Sequence, residues 1–245
     1  MFPGAAVAVD PEKIRAGLGP GETLQETLTS RSERVFLIRR APRRGKSHVL
    51  FLYGNAMTLA DTADLREALS RNGHGVVCVD YPGFGLSEGT PSEAGCYRAA
   101  DAALSVLEER YGVPAWAVDI VGWSLGSAVA LQAASQRQVR KLALLSPFSG
   151  VATVLLGILG LPETPLGRIG PFAGARRASR VTCPTLMISG ELDRMTPTSM
   201  AHDLLARIPA PAELVIVPGV GHNDLFAAPE VWQRLLRFLG EPAAA

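Results

Sequence analysis

From Val49 onward, short apolar runs alternate with longer segments in which apolar residues recur at helical spacing. The runs predict buried strands at Val49–Tyr53, Val76–Asp80, Ala117–Val121, Leu142–Leu145, Thr185–Ser189 and Leu214–Val217. The longer segments predict helices near residues 58–71, 92–111, 124–136, 199–208 and 224–239. Continuous apolar strands linked by helices are typical of a mostly parallel sheet with helices on both faces. The pattern therefore predicts an α/β fold.

The chain before Val49 follows a different pattern. Glu22–Thr29 and Arg34–Ile38 alternate between apolar and polar residues, which predicts an opening antiparallel pair. Residues 1–21 carry Pro and Gly and predict a loosely held lead-in, so we expect the domain to span residues 22–245. Arg39–Lys46 is a basic connection within the positively charged stretch 31–46. It is interpreted as a solvated loop, with a patch for an anionic surface as the open alternative.

Composition narrows the function classes. With 245 residues, 47% hydrophobic and 19% charged, the chain suits one large domain, and a net charge of +1 gives no sign of nucleic-acid binding. Cys78, Cys96 and Cys183 lack metal-ligand spacing and cannot all pair within one chain, and Cys78 and Cys183 are expected to be reduced core residues. No metal and no organic cofactor is predicted.

The sequence contains neither a recognisable signal peptide nor a candidate membrane-spanning segment. The N-terminus has no basic signal-peptide region, and no run approaches the roughly 20 apolar residues of a membrane span. These observations predict a cytoplasmic protein without an integral membrane segment. The high content of Ala, Arg and Gly suggests a bacterial source.

Gly122-Trp-Ser-Leu-Gly126 is the motif around which the chain is organised. It follows a predicted strand and precedes a predicted helix, which is the setting of the G-x-S-x-G nucleophile elbow. In such a turn the hydroxyl of Ser124 points away from the backbone, above a helix N-terminus. A turn of small residues without chemistry is the alternative interpretation of the pentapeptide.

A serine nucleophile needs a base, and His222 is the best candidate. His48 and His74 precede their strands, and His202 lies within a predicted helix. His222 follows the Leu214–Val217 strand, and ligands of such sheets bind beyond the carboxyl ends of the strands.

The carboxylate that orients the base should also follow a strand. Asp193 meets this condition after Thr185–Ser189, whereas Glu191 lies too close to the strand end. Asp224 is interpreted as a cap of the last helix. The order Ser124, Asp193, His222 is the order that α/β-hydrolases use.

Two backbone amides should bind the oxyanion of the reaction. The first is the N–H of Leu125, directly after the nucleophile. The second is the N–H of Asn55, in the loop after the first parallel strand, where Gly54 lets the backbone turn inward.

Together these stretches resemble the α/β-hydrolase superfamily of serine hydrolases, from about residue 22 to residue 240. The shared segments are Gly54-Asn-Ala56, the stretch from Asp80 to Glu93, Gly122-Trp-Ser-Leu-Gly126, Ser146-Pro-Phe148, Gly190-Glu-Leu-Asp193 with Pro197, and Gly221-His-Asn223. The resemblance is greatest to an uncapped branch with a His-Gly-Asn-Ala oxyanion loop, which includes eukaryotic depalmitoylases and bacterial hydrolases. It implies a Ser124, Asp193 and His222 triad with Asn55 and Leu125 as oxyanion donors. Tyr53 departs from the branch, which usually has His there.

The insertion at about residues 147–180 is a second departure, because it is longer than a minimal connection. Its apolar run, Val151–Leu161, is too short to span a bilayer. A small flap over the pocket, a segment packed on the core and a shallow membrane contact remain open as interpretations.

The sequence predicts a serine hydrolase that cleaves carboxylic esters or thioesters of small, uncharged and fairly hydrophobic substrates. Tyr53, Phe84, Trp123 and Phe148 are expected to line the site. An acyltransferase would use the same residues. An aminopeptidase would need more acidic residues than Glu163 in the insertion, and a non-catalytic receptor or scaffold is the alternative from another class.

Overall fold

The computed structural model describes residues 9–151, 153–154 and 170–241. Within them eight strands form one mostly parallel sheet, which confirms the predicted fold class. The strands are β1 (Glu22–Leu28), β2 (Arg34–Arg40), β3 (His48–Leu52), β4 (Gly75–Val79), β5 (Val118–Trp123), β6 (Lys141–Leu145), β7 (Thr185–Gly190) and β8 (Ala212–Val217). The helices are α1 (Pro11–Ala16), α2 (Ala63–Arg71), α3 (Glu93–Tyr111), α4 (Leu125–Gln136), α5 (Ala175–Ala178), α6 (Thr198–Leu205) and α7 (Pro229–Gly240).

The chain divides into two compact units, of which the first ends at Asp119. Its strands lie in the order β1-β2-β4-β3. β1 and β2 form the expected antiparallel pair, and β3 and β4 are parallel, with Leu50 opposite Val77. Every residue of β3 and β4 is buried, which explains their continuous apolar sequence.

The stretch before β1 is more structured than the expected lead-in. Asp10 accepts a hydrogen bond from the amide of Glu12, and Pro11 begins helix α1. An Asp cap followed by Pro is a favourable helix start, and Ile14 of the helix is buried. Residues 1–8 lie outside the described part of the chain.

The second unit begins at Ile120. Its strands lie in the order β5-β6-β7-β8, and the β6–β7 and β7–β8 pairs are parallel. The carboxyl ends of parallel strands share one edge of a sheet, so the loops after β7 and β8 begin side by side. Gly190 is opposite Val217 in the last register pair.

Two predicted helices begin later than expected. A 3-10 turn at Leu59–Thr62 precedes α2, and another at Leu225–Ala227 precedes α7. α7 begins at Pro229, whose fixed φ and missing N–H suit the first helical position. Asp224 therefore precedes the 3-10 turn and is not the cap of α7. Most of the predicted flap, residues 155–169, lies outside the described residues.

Candidate active site

Ser124 occupies the turn between β5 and α4. Its φ of +53° and ψ of −118° are strained for a residue with a Cβ. The amide of Ser124 donates to the carbonyl of Leu145, and its carbonyl accepts from the amide and the hydroxyl of Ser127. These bonds hold the strained residue at both ends, so the side chain projects in a defined direction.

Gly122 is required by the close approach of helix α4 to the strand. A Cβ at this position would lie 2.3 Å from the carbonyl oxygen of Gly126 and 2.6 Å from the Cβ of Ala130. Neither atom belongs to a flexible side chain. The glycine is therefore a steric requirement of the elbow.

A continuous hydrogen-bonded relay joins the three residues predicted to form a triad. The Ser124 Oγ lies 2.9 Å from His222 Nε2, and His222 Nδ1 lies 2.7 Å from Asp193 Oδ2. The Asp193 side chain is fully buried, while 8% of the His222 side chain is exposed. All three residues lie in the second unit, on the connections after β5, β7 and β8.

Asp193 accepts hydrogen bonds at both carboxylate oxygens. Oδ1 accepts from the amides of Met195 (2.9 Å) and Thr196 (2.8 Å), and Oδ2 accepts from the Thr196 hydroxyl (2.7 Å) as well as from His222. Burial by itself raises the pKa of Asp193, but the hydrogen bonds from His222 and Thr196 outweigh it and lower the pKa below its ordinary value. Asp193 is therefore an anion in the folded protein at neutral pH.

The loop that carries His222 packs against the end of β7. A Cβ on Gly190 would lie 2.3 Å from the carbonyl oxygen of Val220. The amide of Leu192 donates to that same carbonyl at 2.9 Å, and the amide of Gly219 donates to Glu191 Oε2 at 2.9 Å. The connections that carry the base and the acid thus hold each other in place.

The indole of Trp123 covers one side of the imidazole. The two ring centroids are 5.7 Å apart with an interplanar angle of 30°. Phe226 packs edge-on against the same indole at 5.3 Å. Trp123 Nε1 is buried and has no hydrogen-bond partner among the described residues. The sequence predicted Trp123 as a lining residue, and its contact with His222 gives it an additional role in restricting the ring.

The two predicted oxyanion donors lie at distinct places in the fold. Leu125 begins helix α4, and amides in the first turn of a helix have no partner within the helix. Asn55 follows β3 in the first unit and precedes Ala56, whose φ is +70°. Their role as donors stays a prediction.

The predicted lining residues differ in exposure. Tyr53 and Phe84 are fully buried, and the Tyr53 hydroxyl donates to Asp80 at 2.6 Å. Phe148 is almost fully buried and packs against Phe172 at 6.4 Å between ring centroids. Tyr53 and Phe84 present no exposed surface to a substrate in this structure. Substrate lining stays a prediction for all four aromatic residues.

The remaining histidines lie where the sequence placed them. His48 begins β3 and is buried beside Arg39, and burial followed by the charge of Arg39 lowers the pKa of His48 to about 4. His74 directly precedes β4, and His202 is exposed on α6. The side-chain hydrogen bonds described above for Asp193 and Ser124 involve none of these three histidines.

Thr196 is the residue of this site that the sequence reasoning missed. Its hydroxyl contacts both Asp193 and His222, at 2.7 Å and 3.3 Å. The available signal was a hydroxyl residue directly before Pro197, close enough to Asp193 along the chain to fold back onto it.

Across the described ranges, no cluster of three or more His, Cys, Asp or Glu side chains is arranged to hold a metal ion. None of the helices in the same ranges has the length and apolarity to cross a bilayer.

Known proteins resemble the chain in sequence and in fold. Residues 47–158 match the family model for the α/β hydrolase fold. An uncharacterised protein of Mycobacterium tuberculosis is 37% identical over 199 residues, which cover 80% of this chain and 70% of that protein. α/β-Hydrolase domain-containing protein 17B of Xenopus laevis is 31% identical over 219 residues, which cover 88% of this chain and 74% of that protein. An esterase of Pyrococcus furiosus superposes with a TM-score of 0.75 at 18% identity, over 95% of this chain and 94% of the esterase.

Proposed function

The chain belongs to the α/β-hydrolase fold family, and we propose that it is a serine hydrolase that cleaves carboxylic ester or thioester bonds through an acyl-enzyme intermediate. The observation that carries the proposal is the relay from Ser124 through His222 to the buried anion of Asp193. A base within hydrogen-bond distance of the nucleophile, and an acid within the same distance of the base, are what acyl transfer by serine requires.

In the first step Ser124 Oγ attacks the acyl carbonyl while His222 Nε2 takes its proton. The 2.9 Å separation of these atoms allows the transfer without rearrangement. Asp193 stabilises the imidazolium that forms, because the carboxylate is buried, charged and hydrogen-bonded to Nδ1.

The negative charge on the carbonyl oxygen must then be stabilised by donors that are already oriented. We propose the amide of Leu125 for this role, because it lies at the N-terminus of α4, where the helix dipole also favours negative charge. The amide of Asn55 is proposed as the second donor on the resemblance of its loop to oxyanion loops of the family.

His222 then protonates the leaving alcohol or thiol, whose departure completes the acyl-enzyme. In the second half of the reaction His222 takes a proton from a water molecule, which attacks the acyl carbon. His222 returns this proton to Ser124 Oγ as the carboxylic acid leaves, so the free serine is restored. The indole of Trp123, against which Phe226 packs, limits the motion of the base during both halves.

We propose an uncharged, fairly hydrophobic acyl group as the substrate and the branch with the His-Gly-Asn-Ala oxyanion loop as the subfamily. Gly54-Asn-Ala56 and the apolar residues around Ser124 support this assignment. Leu192 and Met195, which flank Asp193, are 60% and 41% exposed and add apolar surface beside the triad.

Hydrolysis of nitrophenyl acetate, butyrate, octanoate and palmitate, and of the matching thioesters, tests the proposal. We expect Ser124→Ala to lower kcat/KM by at least roughly a thousandfold. Ser135→Ala is the matched control, because the hydroxyl of this serine donates to the carbonyl of Gln132 within helix α4, and the variant should retain wild-type activity.

A fluorophosphonate probe separates catalysis from scaffolding. Labelling of the wild type and of Ser135→Ala, but not of Ser124→Ala, supports the proposal. A folded wild type that neither hydrolyses any of these esters or thioesters nor reacts with the phosphonate would refute it and favour a binding role.

A further inference from the structure

Thr196 lies at the junction of the acid and the base. Its Oγ1 is 2.7 Å from Asp193 Oδ2 and 3.3 Å from His222 Nδ1, and only 2% of the residue is exposed. No sequence motif of the predicted triad includes this hydroxyl. Its position between the two groups raises the question of where its single proton lies.

The chemistry of the three groups answers that question. An ionised carboxylate can only accept hydrogen bonds, so the Thr196 hydroxyl donates its proton to Asp193. Its oxygen then directs lone pairs toward His222 Nδ1, so both oxygens that face this nitrogen are acceptors. Nδ1 therefore carries the proton, donating mainly to Asp193 Oδ2 at 2.7 Å and secondarily toward Thr196.

This assignment determines the state of the other ring nitrogen. In neutral imidazole only one nitrogen carries a proton, so Nε2 is left with a lone pair directed at Ser124 Oγ. That is the tautomer in which His222 can take the serine proton.

The backbone holds Thr196 in the orientation that this contact needs. Its amide donates to Asp193 Oδ1 at 2.8 Å, so the residue binds both oxygens of the same carboxylate. Pro197 follows with φ of −53°, and helix α6 begins at Thr198. The hydroxyl is thus pre-oriented, and little freedom is lost when it binds.

We infer that Thr196 is a positioning residue that orients the Asp193 carboxylate and selects the Nδ1–H tautomer of His222. The expected effect of Thr196 on catalysis rests on the proposed function. Its expected effect on the tautomer of His222 rests only on the geometry of the three side chains.

Other charged groups near the pair remain unchanged in the variants that test this. Glu191 and Arg194 flank the acid on the connection after β7, and Asp224 follows the base on the connection after β8. Glu191 accepts from the amide of Gly219, and Arg194 and Asp224 are exposed. None of them has a hydrogen bond to the imidazole in the described part of the chain.

The test compares Thr196→Val, which keeps the shape without the hydroxyl, with Thr196→Ser, which keeps the hydroxyl. We expect Thr196→Val to lower kcat by about tenfold while KM changes by less than about twofold, because the change affects the base and not substrate binding. Thr196→Ser should restore most of kcat. Thr182→Val, on an exposed position of the same unit, is the matched control.

Proton NMR gives a readout that does not require turnover. The Nδ1–H of His222 should give a low-field resonance, identified by its absence in His222→Gln. We expect this resonance to persist in wild type and Thr196→Ser and to be lost through exchange in Thr196→Val. Thermal unfolding establishes that each variant is folded, and Thr196→Ala replaces the valine variant if that one is not.

Either of two results would overturn the inference. In the first, the Thr196→Val variant retains both the wild-type kcat and the resonance. In the second, kcat of the Thr196→Ser variant falls as far as kcat of the Thr196→Val variant. Failure of the proposed function would be recognised by a different result, namely equal activity of the wild type and Ser124→Ala. The resonance would still show whether Thr196 selects the Nδ1–H tautomer of His222.

Discussion

At the scale of single residues, buried polar groups in this chain are held by several partners at once. Asp80 is fully buried at the end of β4, where its Oδ1 accepts from the Tyr53 hydroxyl (2.6 Å) and the Leu59 amide (2.8 Å). Its Oδ2 accepts from the Leu86 amide at 3.0 Å. A Cβ on Gly85 would lie 2.1 Å from Oδ2, so the turn wraps tightly around the carboxylate.

Asp80 should make stability depend on pH in a defined direction. Burial raises its pKa from 3.8 to about 6, against the effect of its hydrogen bonds. Because the folded state holds the proton to higher pH than the unfolded state, this contribution to stability is present below pH 3.8 and is lost as the pH rises through about 6. We expect the unfolding free energy of wild type minus that of Asp80→Asn to fall by up to about 3 kcal/mol between about pH 4 and pH 7.

Urea denaturation at several pH values measures this difference. Asp64→Asn, which removes an exposed carboxylate from the first turn of α2, controls for the general loss of a negative charge. A difference that stays constant or grows as the pH rises would contradict the prediction.

At the scale of elements, the ends of β7 and β8 decide how the acid and the base meet. The two strands are parallel and in register up to Gly190 and Val217. The loop after β8 then returns across the end of β7, where Leu192 and Glu191 bind it. The absence of a side chain at Gly190 allows this close approach.

Gly190→Ala should therefore displace the His222 loop. The new Cβ would lie 2.3 Å from the carbonyl oxygen of Val220, which belongs to the backbone and must move. We expect kcat/KM for ester hydrolysis to fall by at least about a hundredfold, because small displacements of a catalytic base are costly.

Gly240→Ala is the matched control, because a Cβ there has no heavy atom within 4 Å. It should leave both kcat/KM and the melting temperature unchanged. Wild-type activity in a folded Gly190→Ala variant would show that the loop tolerates the displacement.

At the scale of the whole molecule, the apolar residues of each unit form an interior that also holds the thiols. Cys78 and Cys96 are buried in the first unit, and Cys183 is buried in the second. None of the three forms a disulfide. Burial raises the pKa of Cys78 and of Cys96 to about 12, so their reactive thiolate form is suppressed at neutral pH.

Native protein should therefore resist thiol reagents. We expect an aromatic disulfide reagent to titrate none of the three cysteines in the folded protein and all three after denaturation in guanidinium. The reduced and untreated proteins should melt at the same temperature. Rapid reaction of even one thiol in the native state would contradict the assignment of these residues to the interior.

The order of the elements and the members of the candidate triad could be predicted from the sequence. Strand and helix periodicities are local properties of the chain, so β3 to β8 were expected within a few residues of their observed bounds. Ser124, Asp193 and His222 could be chosen because each follows a predicted strand, and their hydrogen bonds show that they do come together.

Other features depended on contacts between residues far apart in the chain, and only the tertiary structure decided them. The stacking of Trp123 on His222 and the burial of Tyr53 against Asp80 join residues from separate elements. The Thr196 hydroxyl is close to Asp193 in sequence, but its contact with His222 exists only because the loops after β7 and β8 meet. Periodicity determines which face of an element is buried, whereas side-chain partners are determined by how the packed elements bring distant loops together.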